Sequence, residues 1–259
     1  MRNSLATGSV LFGILIICGA PANSAENDRS PWTQTSVLSA PEAFQAAAAD
    51  EMFIYAITNT LVAKYERANG QKVSTSSGEA KHLNSGYFWN GRLYCAHSNF
   101  PQTPEKSEVK VLDVGSMQLS TFHDFGDIGG SLTWVVRNEN HWWCNFARYG
   151  DANSQTFLVK FTDDWKEQRR WTYPPELIRQ LGRYSLSGGI WRDGELLVTG
   201  HDDPVLFRLR IPKQGMQLEY VDKAFVPFTG QGIAPDPKTG GLVGIQRDKR
   251  LVIFANLEK

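Results

Sequence analysis

The sequence predicts an all-β fold, a five-bladed β-propeller closed by an N-terminal strand. Three observations carry that reading. One hairpin pattern recurs five times, and each copy is followed by another apolar strand. The second strands of the copies start at Phe53, Leu93, Trp142, Leu196 and Leu242, spaced by 40, 49, 54 and 46 residues. Four antiparallel strands per unit of this length mark a propeller. A β-sandwich also uses many short strands, but it does not require the same hairpin-plus-strand order five times.

Each element follows from its own signal. Trp32 to Leu38 lies outside the repeats and reads as an extended segment. Blade 1 (43–78) opens with Ala43–Ala49, turns at Asp50-Glu51 and returns through Phe53–Ile57. A helix over Ala43–Ala49 is the alternative, because Ala is the best helix former. Blade 2 (81–126) turns at Asn90-Gly91 between Gly86–Trp89 and Arg92–His97, a strong hairpin signal. Blade 3 (130–175) turns at Asn138–Asn140, blade 4 (185–225) at Asp193-Gly194, and blade 5 (230–259 with 32–39) at Lys238–Gly240. Third strands follow at Leu61–Tyr65, Val109–Leu112, Phe157–Phe161, Val205–Leu209 and Leu251–Phe254. More polar fourth strands lie at Lys72–Thr75, Gln118–His123, Glu167–Thr172 and Gln217–Val221. The fifth unit is one strand short, and Trp32–Leu38 supplies it, leaving no open edge at the seam. Between blades 3 and 4, Pro174-Pro175 in front and Gly182 behind predict a short helix over the intervening residues.

Composition limits the function classes. The chain has 259 residues, 41% hydrophobic and 21% charged, with 27 basic residues against 27 acidic. That balance leaves no long-range field for nucleic acid. Residues 1–25 read as a secretory signal peptide. Arg2 precedes an apolar run from Val10 to Ala20, and Ala22-Asn23-Ser24-Ala25 offers small residues for cleavage. The run is too short to span a bilayer comfortably, and no later stretch is apolar enough. The expectation is an exported chain, periplasmic or secreted, with residues 26–259 forming one monomeric propeller domain. Cys95 and Cys144 fall at equivalent positions of successive blades, too far apart for a disulfide, and read as buried thiols.

Propeller topology sorts the loops. Hairpin turns open on one face. The loops into each innermost strand, and those between second and third strands, open on the other. The second face holds the long loops, where rigid scaffolds place function. His82 and His97 are the candidate catalytic residues, because histidine is the side chain most easily poised near neutral pH. The bland reading of His97 is a hydrogen-bonded core histidine. Asn84, Arg148, Arg183, Tyr184, Gln231 and Arg247 are candidate substrate-binding residues, with the arginines suited to a carboxylate or phosphate. His201-Asp202-Asp203-Pro204 reads equally as a metal site, for Ca²⁺ or Zn²⁺, and as an ordinary turn before proline. Trp89, Trp134, Trp142, Trp143 and Trp191 fall within the repeats and read as packing between blades.

Lys81-His-Leu-Asn-Ser-Gly86, Leu93-Tyr-Cys-Ala-His-Ser-Asn99, His141-Trp-Trp-Cys-Asn-Phe-Ala-Arg-Tyr-Gly150 and Gly200-His-Asp-Asp-Pro204 resemble a group of exported bacterial propeller proteins of unassigned activity. More distantly, the Trp89-to-Tyr94 hairpin and the Val109-to-Asp113 strand are similar to blades of olfactomedin-like domains and of lactonase or cycloisomerase propellers. The wider resemblance implies architecture, and architecture alone does not settle function. Two expectations follow. One is an enzyme, a hydrolase or isomerase acting on a small sugar or lactone at the long-loop face. The other is a non-catalytic module binding a glycan or a protein.

Overall fold

The computed structural model describes Met1 and residues 32–258. Apart from Met1, the expected signal segment lies outside the described residues. The protein is a five-bladed β-propeller made of five four-stranded antiparallel sheets. Blade 1 comprises β2 (Ala46–Ala49), β3 (Phe53–Ile57), β4 (Val62–Glu66) and β5 (Lys72–Thr75). Blade 2 comprises β6 (His82–Trp89), β7 (Arg92–Ser98), β8 (Ser107–Asp113) and β9 (Gln118–Gly126). Blade 3 comprises β10 (Ser131–Asn138), β11 (His141–Ala147), β12 (Phe157–Phe161) and β13 (Glu167–Thr172). Blade 4 comprises β14 (Gly188–Arg192), β15 (Glu195–Thr199), β16 (Val205–Arg210) and β17 (Glu219–Phe225). Blade 5 comprises β18 (Ala234–Pro235), β19 (Leu242–Gln246) and β20 (Leu251–Leu257), completed on the outside by β1 (Trp32–Ser39). Trp32 pairs with Leu257 at one end of that seam and Ser39 with Leu251 at the other.

Local chemistry sets the hairpins. Asn90 and Gly91 both have positive φ, 47° and 72°, as do Asp193 and Gly194, 51° and 78°. Two successive left-handed residues form the turn whose twist matches the flanking strands. Glu139 and Asn140 do the same in blade 3. The alanine run forms a strand rather than a helix. Ala46 to Ala49 are fully buried and pair with Ile57 to Ile54. Tertiary crowding overrides helix propensity here. A Cβ on Gly232 would lie 2.6 Å from that of Ala46, so the innermost strands of blades 1 and 5 meet with no room for larger residues. The inner strand of blade 5 is the shortest, two residues ending at Pro235, which has no N–H to extend the ladder.

The core lies between blades. Trp89 of blade 2 packs edge-on to Trp142 of blade 3 at 5.3 Å, and Trp143 of blade 3 meets Trp191 of blade 4 at 4.8 Å. Trp134 fills the space left by Gly189, where a Cβ would come within 2.6 Å of the indole. Cys95 and Cys144 are free, fully buried thiols. Helix α1 (Pro175–Leu181) has Pro at its first position and ends at Gly182 with φ 62°. It inserts Leu177 into the apolar cluster shared by blades 3 and 4. Among the described residues, no helix is long and apolar enough to cross a membrane.

Candidate functional site

The long-loop face brings residues from all five blades toward the channel mouth. Arg247, in the loop after β19, is the hub. Its guanidinium lies over the ring of Phe44 at 3.9 Å, just before β2. One of its amino groups is 3.3 Å from His201 Nε2, in the loop after β15. The Arg247 charge also acts on His82, which opens β6. Burial lowers the pKa of Arg247, an effect that Arg250 reinforces and Asp202 and Tyr184 oppose. The Asp202 carboxylate favours the Arg247 cation through its charge. Partial burial of a cation is costly, so negative charge near this point is favoured, and Asp202 supplies part of it.

His82 is half-buried. Desolvation first, and the Arg247 charge second, lower its pKa, while a hydrogen bond to the Asn84 side chain opposes them. Both effects favour the neutral form of His82. A β-bulge sets up this segment: register shifts between Leu83 and Gly86, so Asn84 and Ser85 leave the regular ladder. Asn84 is anchored by donating to the Leu132 carbonyl at 2.9 Å. The His82 ring rests on Phe100 at 5.4 Å, and Phe100 rests on Tyr149 at 5.3 Å. Burial, with the Glu105 charge next, raises the pKa of Tyr149.

On the opposite side, Tyr184 stacks flat on His201, with ring centroids 4.1 Å apart and planes 14° from parallel. His201 Nδ1 lies 2.7 Å from Asp202 Oδ1, close but off the axis of a well-aligned hydrogen bond. Gln231 is buried and donates from its amide to the His201 carbonyl at 2.6 Å. It also holds φ at 120°, a conformation non-glycine residues rarely adopt and one that concentrates at functional sites.

Thus pairwise interactions link His82, Asn84, Tyr184, Gln231 and Arg247 with His201. His97, Arg148 and Arg183 make other contacts, although the His82 charge acts on His97. His97 is buried one strand over. Its Nε2 accepts the Lys81 backbone N–H at 2.9 Å, and its Nδ1 faces Glu108 at 3.0 Å. Its pKa is lowered to about 4, first by desolvation and then by Lys110, against Glu108. It lines a separate groove of about 530 Å³ between blades 1 and 2, with Lys81, Lys106 and Lys110. Arg148 is tied to Gln155 at 3.4 Å. Arg183 is exposed and approaches the Tyr184 ring at 5.6 Å.

The expected cation ligands His201, Asp202 and Asp203 follow one another in the loop after β15. Among the described residues, no three His, Cys, Asp or Glu side chains are gathered so as to hold a metal ion. The Arg247 guanidinium occupies the approach to His201 Nε2 and would repel a cation there. Adjacency in sequence does not by itself make the three side chains converge. Conversely, Phe44, Phe100 and Tyr149 were not anticipated. Loop aromatics give no sequence signal of which histidine or arginine they will support.

No family model matches this sequence, and no curated protein matches it. Among solved structures, the crystal structure of Myxococcus xanthus glutaminyl cyclase is similar. The TM-score is 0.59 over 89% of this chain and 97% of that one, at 9% identity. A structure of the mitotic checkpoint complex aligns over 98% of this chain and all of that one, with a TM-score of 0.46 and 14% identity. The similarity to the cyclase is one of propeller fold. The blade-level resemblances drawn from sequence are matched at that level and not at the level of family.

Proposed function

We propose that the protein is an exported propeller enzyme acting on a small polar substrate, of sugar or lactone type, at the mouth around Arg247. The observation that carries this reading is a half-buried guanidinium whose charge, with burial, favours the neutral form of a neighbouring histidine. Arg247 receives an anionic group, or the negative charge that develops on a carbonyl oxygen. His82 moves the proton, its lowered pKa keeping the basic form populated at neutral pH. In lactone hydrolysis His82 takes a proton from water as the oxygen adds to the carbonyl. The ring C–O bond then breaks, and the proton returns to the departing alkoxide. The hydroxy acid formed ionises and pairs with Arg247. The cyclase-bearing propeller of similar fold supports an enzyme reading in general and says nothing of this substrate.

The test is a turnover screen of lactones, sugar acids and their isomers with the wild-type protein and His82→Asn. Turnover that falls at least about a hundredfold in the variant, with unchanged thermal stability, is expected from loss of general-base catalysis. Turnover that is indifferent to His82→Asn, or confined to substrates with no carbonyl or acid group, contradicts the proposal.

A further inference from the structure

The geometry points to Asp202 and His201 as a positioning pair that fixes the Arg247 guanidinium at the channel mouth. This rests on the reading of Arg247 as the anion-binding group. A guanidinium has donors only, so the 3.3 Å approach to His201 Nε2 requires that nitrogen to be the acceptor. The imidazole is then neutral with its proton on Nδ1, the nitrogen 2.7 Å from Asp202 Oδ1. The Asp202 charge beside Nδ1 favours that tautomer, although the contact is off the axis of a hydrogen bond, and the tautomer presents a lone pair to Arg247. The ring itself is held in place. Tyr184 stacks against one face, and Gln231 grips the backbone carbonyl of the same residue at 2.6 Å. On the other side, Phe44 supports the guanidinium plane at 3.9 Å. An arginine side chain is long and flexible, and each fixed contact reduces the freedom lost when an anion binds.

The groups bearing on this pair are Asp202, Arg247 and Tyr184, with Arg250 and His82 acting on Arg247 from neighbouring loops. Protonating His201 places an N–H where the lone pair faces Arg247. Contact then gives way to repulsion, and the guanidinium loses its fixed orientation. Protonating His82 instead adds positive charge at the mouth.

The experiment uses the purified protein labelled with ¹⁵N in histidine and arginine. Arg247 signals are identified by Arg247→Lys. At pH 7.5, His201 is expected to be neutral with the proton on Nδ1, and the Arg247 guanidinium protons to exchange slowly. His201→Phe keeps the stack on Tyr184 but has no acceptor, and should abolish the slow exchange. His201→Gln restores an acceptor and should recover it. Acetate, titrated as the probe anion, should bind about tenfold more weakly to His201→Phe and within about twofold of wild type to His201→Gln, as expected for one charge-assisted hydrogen bond. A His201 proton on Nε2, or Arg247 signals indifferent to His201→Phe, overturns the positioning role without reference to any ligand. Acetate binding equally well to wild type and His201→Phe overturns it too. Failure of acetate to bind wild type counts against the anion-site reading, while the labelled spectra still decide the role of His201.

Discussion

Arg247 sits between the Phe44 ring and His201 Nε2. Two single substitutions separate its role from that of its neighbours. Arg247→Gln keeps most of the bulk and removes the charge. It should abolish saturable carboxylate binding while shifting stability by less than about 1 kcal/mol, because no buried partner is orphaned. His97→Ala should do the reverse. It strips the acceptor from the Lys81 N–H and leaves a cavity, costing about 2–4 kcal/mol in urea unfolding with carboxylate binding retained. The lowered pKa of His97 also makes stability depend on pH. The unfolded chain protonates near 6.5 and the folded one near 4. Stability from this group is present above 6.5 and drains as pH falls toward 4, by up to about 1.4 kcal/mol per pH unit. His97→Gln should flatten that part of the stability profile. Histidines were legible in the sequence because they are few. The distinction between a histidine at the mouth and one in the core was not, since both end strands of the same hairpin. Arg247 lies 46 residues from His201, and nothing in the spacing announces their contact.

The hairpins show how far local sequence decides an element. At Gly91 a Cβ would meet nothing within 4 Å, so Gly91→Ala tests backbone conformation alone. The cost of a left-handed alanine is about 1 kcal/mol, read as a lowered midpoint in thermal or urea unfolding. Gly189→Ala tests packing instead. Its Cβ would press on the buried Trp134 indole, and overpacking of this kind costs about 1–3 kcal/mol or more. The two glycines are indistinguishable by residue type. Asn90-Gly91 and Asp193-Gly194 declare their turns through dipeptide chemistry, so those hairpins were legible. The alanine strand was not fully so, because its conformation depends on Gly232 and on neighbouring inner strands that sequence does not place beside it. The bulge at Leu83/Gly86, which frees Asn84 beside His82, likewise has no short-range signature.

At the scale of the molecule, closure joins first strand to last and blade 5 to blade 1. Arg67 reaches Asp236 at 2.6 Å, with the aspartate side chain fully buried and the guanidinium over the Phe254 ring. Arg67→Ala should leave that carboxylate buried and unpaired, destabilising the whole ring by about 3–5 kcal/mol in chemical unfolding. The five-fold recurrence made the ring and its closing strand readable, because one signal repeated in register outweighs the ambiguity of any one strand. The site is a property of the closed ring, assembled from loops of all five blades, so only its parts were visible beforehand. The most direct test of the central claim is an amide-resolved NMR titration of the assigned protein with acetate at pH 7.5, beside Arg247→Gln. The account predicts saturable shifts converging on His82, Tyr184, His201, Gln231 and Arg247, and none in the variant. Shifts centred instead on the Lys81, Lys106 and Lys110 groove, or persisting unchanged in Arg247→Gln, would contradict it.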